Sequence, residues 1–94
     1  MDNFPFLNQA VSSVVSKLRK NAGYSQQKLA ERSSMARVYL LQLEQGKFRP
    51  TLNSIFFIAR GLGIAPAKFV SMIEEKRREL EKTGDVREAD SQAK

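Results

Sequence analysis

Ninety-four residues make one small domain, with no room for a second core. The chain contains no Cys and no His, which excludes disulfides and thiolate zinc sites and removes the commonest general base and metal ligand. Its net charge of +6 is uneven. The first fifty residues set Lys17, Arg19, Lys20, Lys28, Arg32, Arg37, Lys47 and Arg49 against Asp2, Glu31 and Glu44 alone, whereas the remainder is nearly balanced. A one-sided basic field favours a polyanion such as nucleic acid as partner and leaves catalysis without its usual groups. The first residues hold neither a basic n-region nor an apolar h-region, and no apolar run reaches membrane-spanning length, so the expectation is a cytoplasmic chain with no membrane partner.

Residues 1–7, with Phe4, Pro5 and Phe6, read as an arm. Val11, Val14, Val15, Leu18 and Ala22 recur at helical spacing before Gly23, which predicts a first helix over about 9–22. Ser25 offers a cap to a second, short helix over Gln26–Arg32, with Leu29 and Ala30 inward. A third runs from Arg37 to Gln45 and stops at Gly46. Lys47-Phe48-Arg49-Pro50 forms a basic loop, after which Thr51 caps a fourth helix carrying Leu52, Ile55, Ile58, Ala59 and Leu62 inward as far as Gly63. Pro66 opens a fifth helix with an apolar stripe of Phe69, Met72 and Ile73. That helix extends into the charged run from Glu74 to Glu79, and 83–94 read as a disordered polar tail. No alternating strand pattern and no repeat occurs, so the class is all-α, with residues 8–82 as the folded domain.

Two short helices joined tightly, the second amphipathic and followed by a basic loop, form the helix-turn-helix plan. Ser25-Gln26, Leu29-Ala30, Leu43-Glu44-Gln45-Gly46-Lys47, Arg49-Pro50-Thr51-Leu52 and Ile58-Ala59 with Leu62-Gly63 follow one another at fixed spacing. Over about residues 14–73 the chain resembles the Cro/C1-type (XRE) family of DNA-binding regulators. The resemblance implies a compact five-helix, lambda-repressor-like domain with the helix-turn-helix at helices 2 and 3. In that arrangement the third helix lies in the DNA major groove and the second crosses the backbone. It also implies an ion pair between Arg19 and Glu44 that holds the reading helix. Such a pair costs about 3 to 5 kcal/mol when broken on one side in full burial.

Independently of the family, the third helix divides into an inward side of Tyr39, Leu40 and Leu43 and an outward side of Arg37, Val38, Leu41, Gln42 and Gln45. Gln pairs bidentately with adenine, Arg with guanine, and aliphatic side chains pack on thymine methyls. Arg37, Val38, Leu41 and Gln42 are therefore the expected base readers, with Ser25, Gln26, Lys47 and Arg49 as phosphate contacts. Lys17 and Lys20, on the outer side of the first helix, read as solvated. Leu41 stands where the family usually has a small polar residue, which leaves a DNA contact and a protein contact both open there.

Three further departures from the family are Ala36 and Ala65 at capping positions and Ser34 at a turn position where Gly or Asn is common. Phe57, turned outward by the helical pattern, suggests a subunit interface with Phe69, Met72 or Ile73. The expected function is a regulator, acting as a repressor, that binds a palindromic double-stranded DNA operator as a homodimer without cofactor or metal. The alternative is a protein-interaction module, such as the antitoxin partner of a toxin, with DNA binding secondary. An enzymatic reading has only Glu74, Glu75, Glu79 and Glu81 behind it, and these read as a solvated helix face.

Overall fold

Apolar residues at helical spacing fold into five helices: α1 Leu7–Asn21, α2 Gln26–Arg32, α3 Arg37–Glu44, α4 Leu52–Leu62 and α5 Pro66–Gln92. The computed structural model describes residues 3–47 and 49–92, with side chains as far as Thr83, and no strand occurs among them. The fold is all-α, with the five helices that the family resemblance implies. The polar tail expected at 83–94 lies, from residue 84, outside the described side chains, and Phe48 of the basic loop is likewise outside the described residues.

Local chemistry sets the boundaries. The Ser25 hydroxyl accepts the Lys28 N–H at 3.0 Å at the start of α2, and Thr51 accepts the Ser54 N–H at 3.0 Å at the start of α4. Each satisfies an amide that the first helical turn leaves unpaired. At the other ends, Gly46 and Gly63 take φ of 70° and 76°, the left-handed conformation that closes a helix without a Cβ clash. α1 starts at Leu7, two residues ahead of the sequence expectation, after a turn in which the Leu7 N–H donates to the Phe4 carbonyl at 3.1 Å.

The core draws Ala10, Val11, Val14 and Val15 from α1, Leu29 and Ala30 from α2, and Leu40 and Leu43 from α3. α4 contributes Ile55, Ile58 and Ala59, and α5 contributes Phe69 and Ile73. Each large apolar side chain removed from water contributes about 1.5 to 3 kcal/mol, and Phe69, with no exposed surface, lies among the largest. Phe69 and Ile73 therefore belong to this core and do not serve as interface candidates, because side chains with 0% and 4% exposure have almost no surface to offer a partner. Leu52 departs from expectation in the opposite sense. The core ends at Ile55, the first turn of α4 lies beyond it, and Leu52 is 69% exposed.

α2 and α4 approach unusually closely. A Cβ added to Gly61 would lie 2.1 Å from the Ser33 hydroxyl oxygen, and Arg32 donates from Nε to the Gly61 carbonyl at 2.7 Å. A glycine on α4 thus sets how deeply α2 seats, and through α2 the attitude of the helix that follows it. α5 runs beside α1, and its Arg77 packs beneath the arm with its guanidinium 4.9 Å from the Phe4 ring centre. The same guanidinium donates to Glu74 at 2.8 Å and to Glu81 at 3.2 Å. No single helix among the described residues is long and apolar enough to cross a membrane.

Candidate nucleic-acid interface

Residues 33–36 turn the chain between α2 and α3, and the Met35 N–H donates to the Ala30 carbonyl at 3.0 Å to close the end of α2. Ser34 holds φ 54° in this turn, a conformation that costs an L-residue other than Gly about 1 to 2 kcal/mol. Ala36, extended at φ −70° and ψ 143°, has no side-chain oxygen with which to cap α3. Both departures from the family pattern are thus paid in local stability, and the turn holds because Leu40 and Leu43 are fully buried behind it.

With those two leucines inward, Arg37, Val38, Gln42 and Gln45 form an exposed ridge, and Val38 leaves 60% of its surface uncovered. Leu41, expected on that ridge, is half-buried at its edge. Lys47 and Arg49 are exposed in the loop that follows, and Ser25 is exposed at the start of α2. Lys17 and Lys20 are exposed on α1, as solvated residues would be.

Beneath the ridge the Glu44 carboxylate is held from two elements, α1 and α2. Arg19 of α1 grips it with two bonds, Nε to Oε2 at 2.7 Å and a terminal nitrogen to Oε1 at 3.1 Å. Its remaining terminal nitrogen donates to the Tyr24 carbonyl at 2.8 Å. Side-chain exposures of 11% for Arg19 and 6% for Glu44 place this two-pronged, charge-assisted pair out of bulk water. Gln26, expected as a phosphate contact, also donates from Nε2 to Glu44 Oε1 at 3.2 Å, so its amide is oriented by α3. The Ser12 hydroxyl donates to the Glu44 backbone carbonyl, fixing the end of α3 to α1.

A second link was not legible in the sequence. The Tyr39 hydroxyl lies 2.6 Å from Ser54 Oγ, which lies 3.0 Å from Thr51 Oγ1. Three hydroxyls on α3 and α4 carry no periodic signal, and only the fold brings them together.

On α4, Phe56 is 53% exposed, four residues from exposed Leu52. Phe57, expected as the outward residue, is half-buried under the Arg60 guanidinium, 5.0 Å from its ring centre. The exposed aromatic is therefore Phe56, one position earlier. Met72 is half-buried against the core. No group of three or more possible ligand side chains that could hold a metal ion occurs among the described residues.

A family model described as helix-turn-helix matches residues 15–69, which span the Arg19–Glu44 pair, the ridge and the start of α5. The chain belongs to the Cro/C1-type helix-turn-helix family. Members of this family are DNA-binding transcriptional regulators and not enzymes. Among Cro/C1-type relatives, an HTH-type transcriptional regulator of Sinorhizobium fredii is 29% identical over 69 residues, covering 73% of this chain and 90% of that protein. Another, from Methanothermobacter thermautotrophicus, is 35% identical over 57 residues, covering 61% and 83%. The regulator SutR of Escherichia coli is 31% identical over 65 residues, covering 69% of this chain and 36% of its own length. Among solved structures, a wild-type restriction-modification controller protein superposes with a TM-score of 0.70 at 31% identity, over 76% of this chain and 92% of that one. The same controller, as a tetramer in complex with its natural 35 base-pair operator, gives a TM-score of 0.71 at 31% identity, covering 76% and 93%.

Proposed function

We propose that this chain is a transcriptional repressor that works in the cytoplasm as a two-fold dimer, placing α3 in the major groove of a palindromic operator. The observation that carries the reading is the exposed ridge of Arg37, Val38 and Gln42, backed by buried Leu40 and Leu43 and followed by Lys47 and Arg49. The ridge holds side chains that pair with base edges, and the loop and Ser25 supply charge and polar groups for phosphates. One such module binds weakly at physiological salt, so two half-sites read together supply the affinity. The similarity to a controller that binds its operator as a tetramer supports both DNA and self-association as partners. Leu52 and Phe56 give a second copy an apolar surface to cover.

Selection of bound duplexes from a random pool tests this. The expected result is an inverted repeat whose half-site centres lie about 34 Å apart, one turn of DNA. Recovery of no enriched sequence at low salt would overturn it. The alternative, a protein-interaction module such as the antitoxin partner of a toxin, rests on the same apolar surface of α4. The two readings part on whether that surface pairs with itself or with an unlike chain.

A further inference from the structure

We propose that Tyr39 is a positioning residue for DNA reading. Its hydroxyl, acting through Ser54 and Thr51, fixes the basic loop relative to the base-reading ridge. The inference rests on α3 being the helix that reads DNA.

Tyr39 is the third residue of α3 and sits half-buried between the core side of that helix and its exposed ridge. Its oxygen lies 2.6 Å from Ser54 Oγ, toward the short end of the range for hydroxyl pairs. Ser54 Oγ lies 3.0 Å from Thr51 Oγ1, and Thr51 Oγ1 in turn accepts the Ser54 N–H that starts α4. A continuous chain of hydroxyls therefore joins the reading helix to the first turn of α4. Between those two points runs the loop that carries Lys47 and Arg49.

The near end of the loop is already tied to α3, since the Gly46 N–H donates to the Leu43 carbonyl at 3.0 Å and the Lys47 N–H to the Gln42 carbonyl at 3.1 Å. Tyr39 ties the far end. With both ends tied to α3, the separation between the loop cations and the Gln42 side chain is set before DNA arrives, which lowers the ordering cost of binding. A phenyl ring would fill the same space. The hydroxyl adds a bond to α4.

The test compares Tyr39→Phe, Ser54→Ala and the double variant with the wild type, using a duplex selected by the wild-type protein. Each single variant is expected to melt close to the wild type and to bind about three- to tenfold more weakly, the effect of one lost hydrogen bond. The preference at the base read by Gln42 should persist, while the salt slope falls by about one as a loop cation loses its phosphate. A packing defect alone would not move that slope. The double variant should bind no worse than either single one, because both remove the same link. In the free protein, amide exchange at Ser54 and Ile55 should accelerate severalfold in Tyr39→Phe.

Wild-type affinity and salt slope in Tyr39→Phe would overturn the proposal. So would losses that multiply in the double variant, because the two hydroxyls would then act separately. If the wild type enriches no duplex, the DNA reading itself fails. Exchange rates at Ser54 and Ile55 still decide whether Tyr39 couples α3 to α4, since unchanged rates would remove that coupling whatever the ligand.

Discussion

Gln42 and Lys47 lie five residues apart and are expected to fail in different ways. Gln42, on the exposed ridge, offers a donor and an acceptor to a base edge, so Gln42→Ala should relax preference at one or two base pairs, worth about 1 to 3 kcal/mol there. Lys47 offers only charge, so Lys47→Ala should weaken binding to every sequence alike and lower the salt slope by about one. Affinities for a panel of single-base operator variants at several salt concentrations separate the two patterns. Identical profiles would end the division into readers and anchors. Arg19 belongs to a third kind. Its guanidinium is spent on Glu44 and the Tyr24 carbonyl, and Arg19→Ala would leave a carboxylate that is 6% exposed without its partner. It should destabilise the fold by about 3 kcal/mol or more. Lys20→Ala, on an exposed side of α1, should change stability by no more than about 0.5 kcal/mol. Equal melting temperatures for the two variants would contradict the assignment.

The packing of α2 on α4 turns on a contact without room for a methyl group. Gly61→Ala would drive a carbon to within 2.1 Å of the Ser33 hydroxyl oxygen and should cost about 1 to 3 kcal/mol, read from denaturant midpoints. Adding Ser33→Ala removes the nearest clashing atom, together with a buried hydroxyl that has no hydrogen-bond partner among the described residues, and should restore part of the loss. If Gly61→Ala unfolds at the wild-type midpoint, α2 is free to shift and the close approach carries no weight. α5 responds to pH. Arg77 first, and Arg78 after it, hold the Glu74 carboxyl below its ordinary pKa, and Lys76 does the same for Glu79. Carboxylates depressed in the folded state contribute stability that is present above their unfolded pKa, about 4.3, and lost as the pH falls through the folded value. Thermal melts should hold steady from neutral pH to about 5 and then decline in more acid solution, and Glu74→Gln should flatten that decline. A melting point unaltered at strongly acid pH would count against it. Helix starts and stops were legible because Ser25, Thr51, Gly46 and Gly63 act locally. The α2–α4 seat was not, since nothing local marks Gly61 as the partner of Ser33.

At the scale of the whole molecule the sequence turned Phe57 outward on α4 as a candidate subunit contact, whereas the exposed aromatic of that helix is Phe56. Periodicity alone cannot foresee that Arg60 stacks over the Phe57 ring while Phe56 stays uncovered. Phe69 and Ile73 were misplaced for a related reason. An apolar stripe on the last helix reads the same whether it meets α1 of its own chain or a second copy, and here it is sealed in the core. Phe56→Lys should leave the domain folded, reduce the mass in sedimentation to that of a single chain, and weaken binding to the full palindrome at least about a hundredfold by removing the second half-site's contribution. A variant that stays dimeric would move the interface elsewhere. Glu44 lies just under the ridge and is the one acid of α3, at the helix end where backbone dipoles are already negative. Left bare, it would repel any polyanion that approaches the ridge. Arg19 and Gln26 occupy both carboxylate oxygens, so an approaching duplex meets a camouflaged charge. Breaking the pair should therefore do more than loosen the domain, because a bare carboxylate under the exposed ridge would repel DNA and slow its approach to that side of the protein.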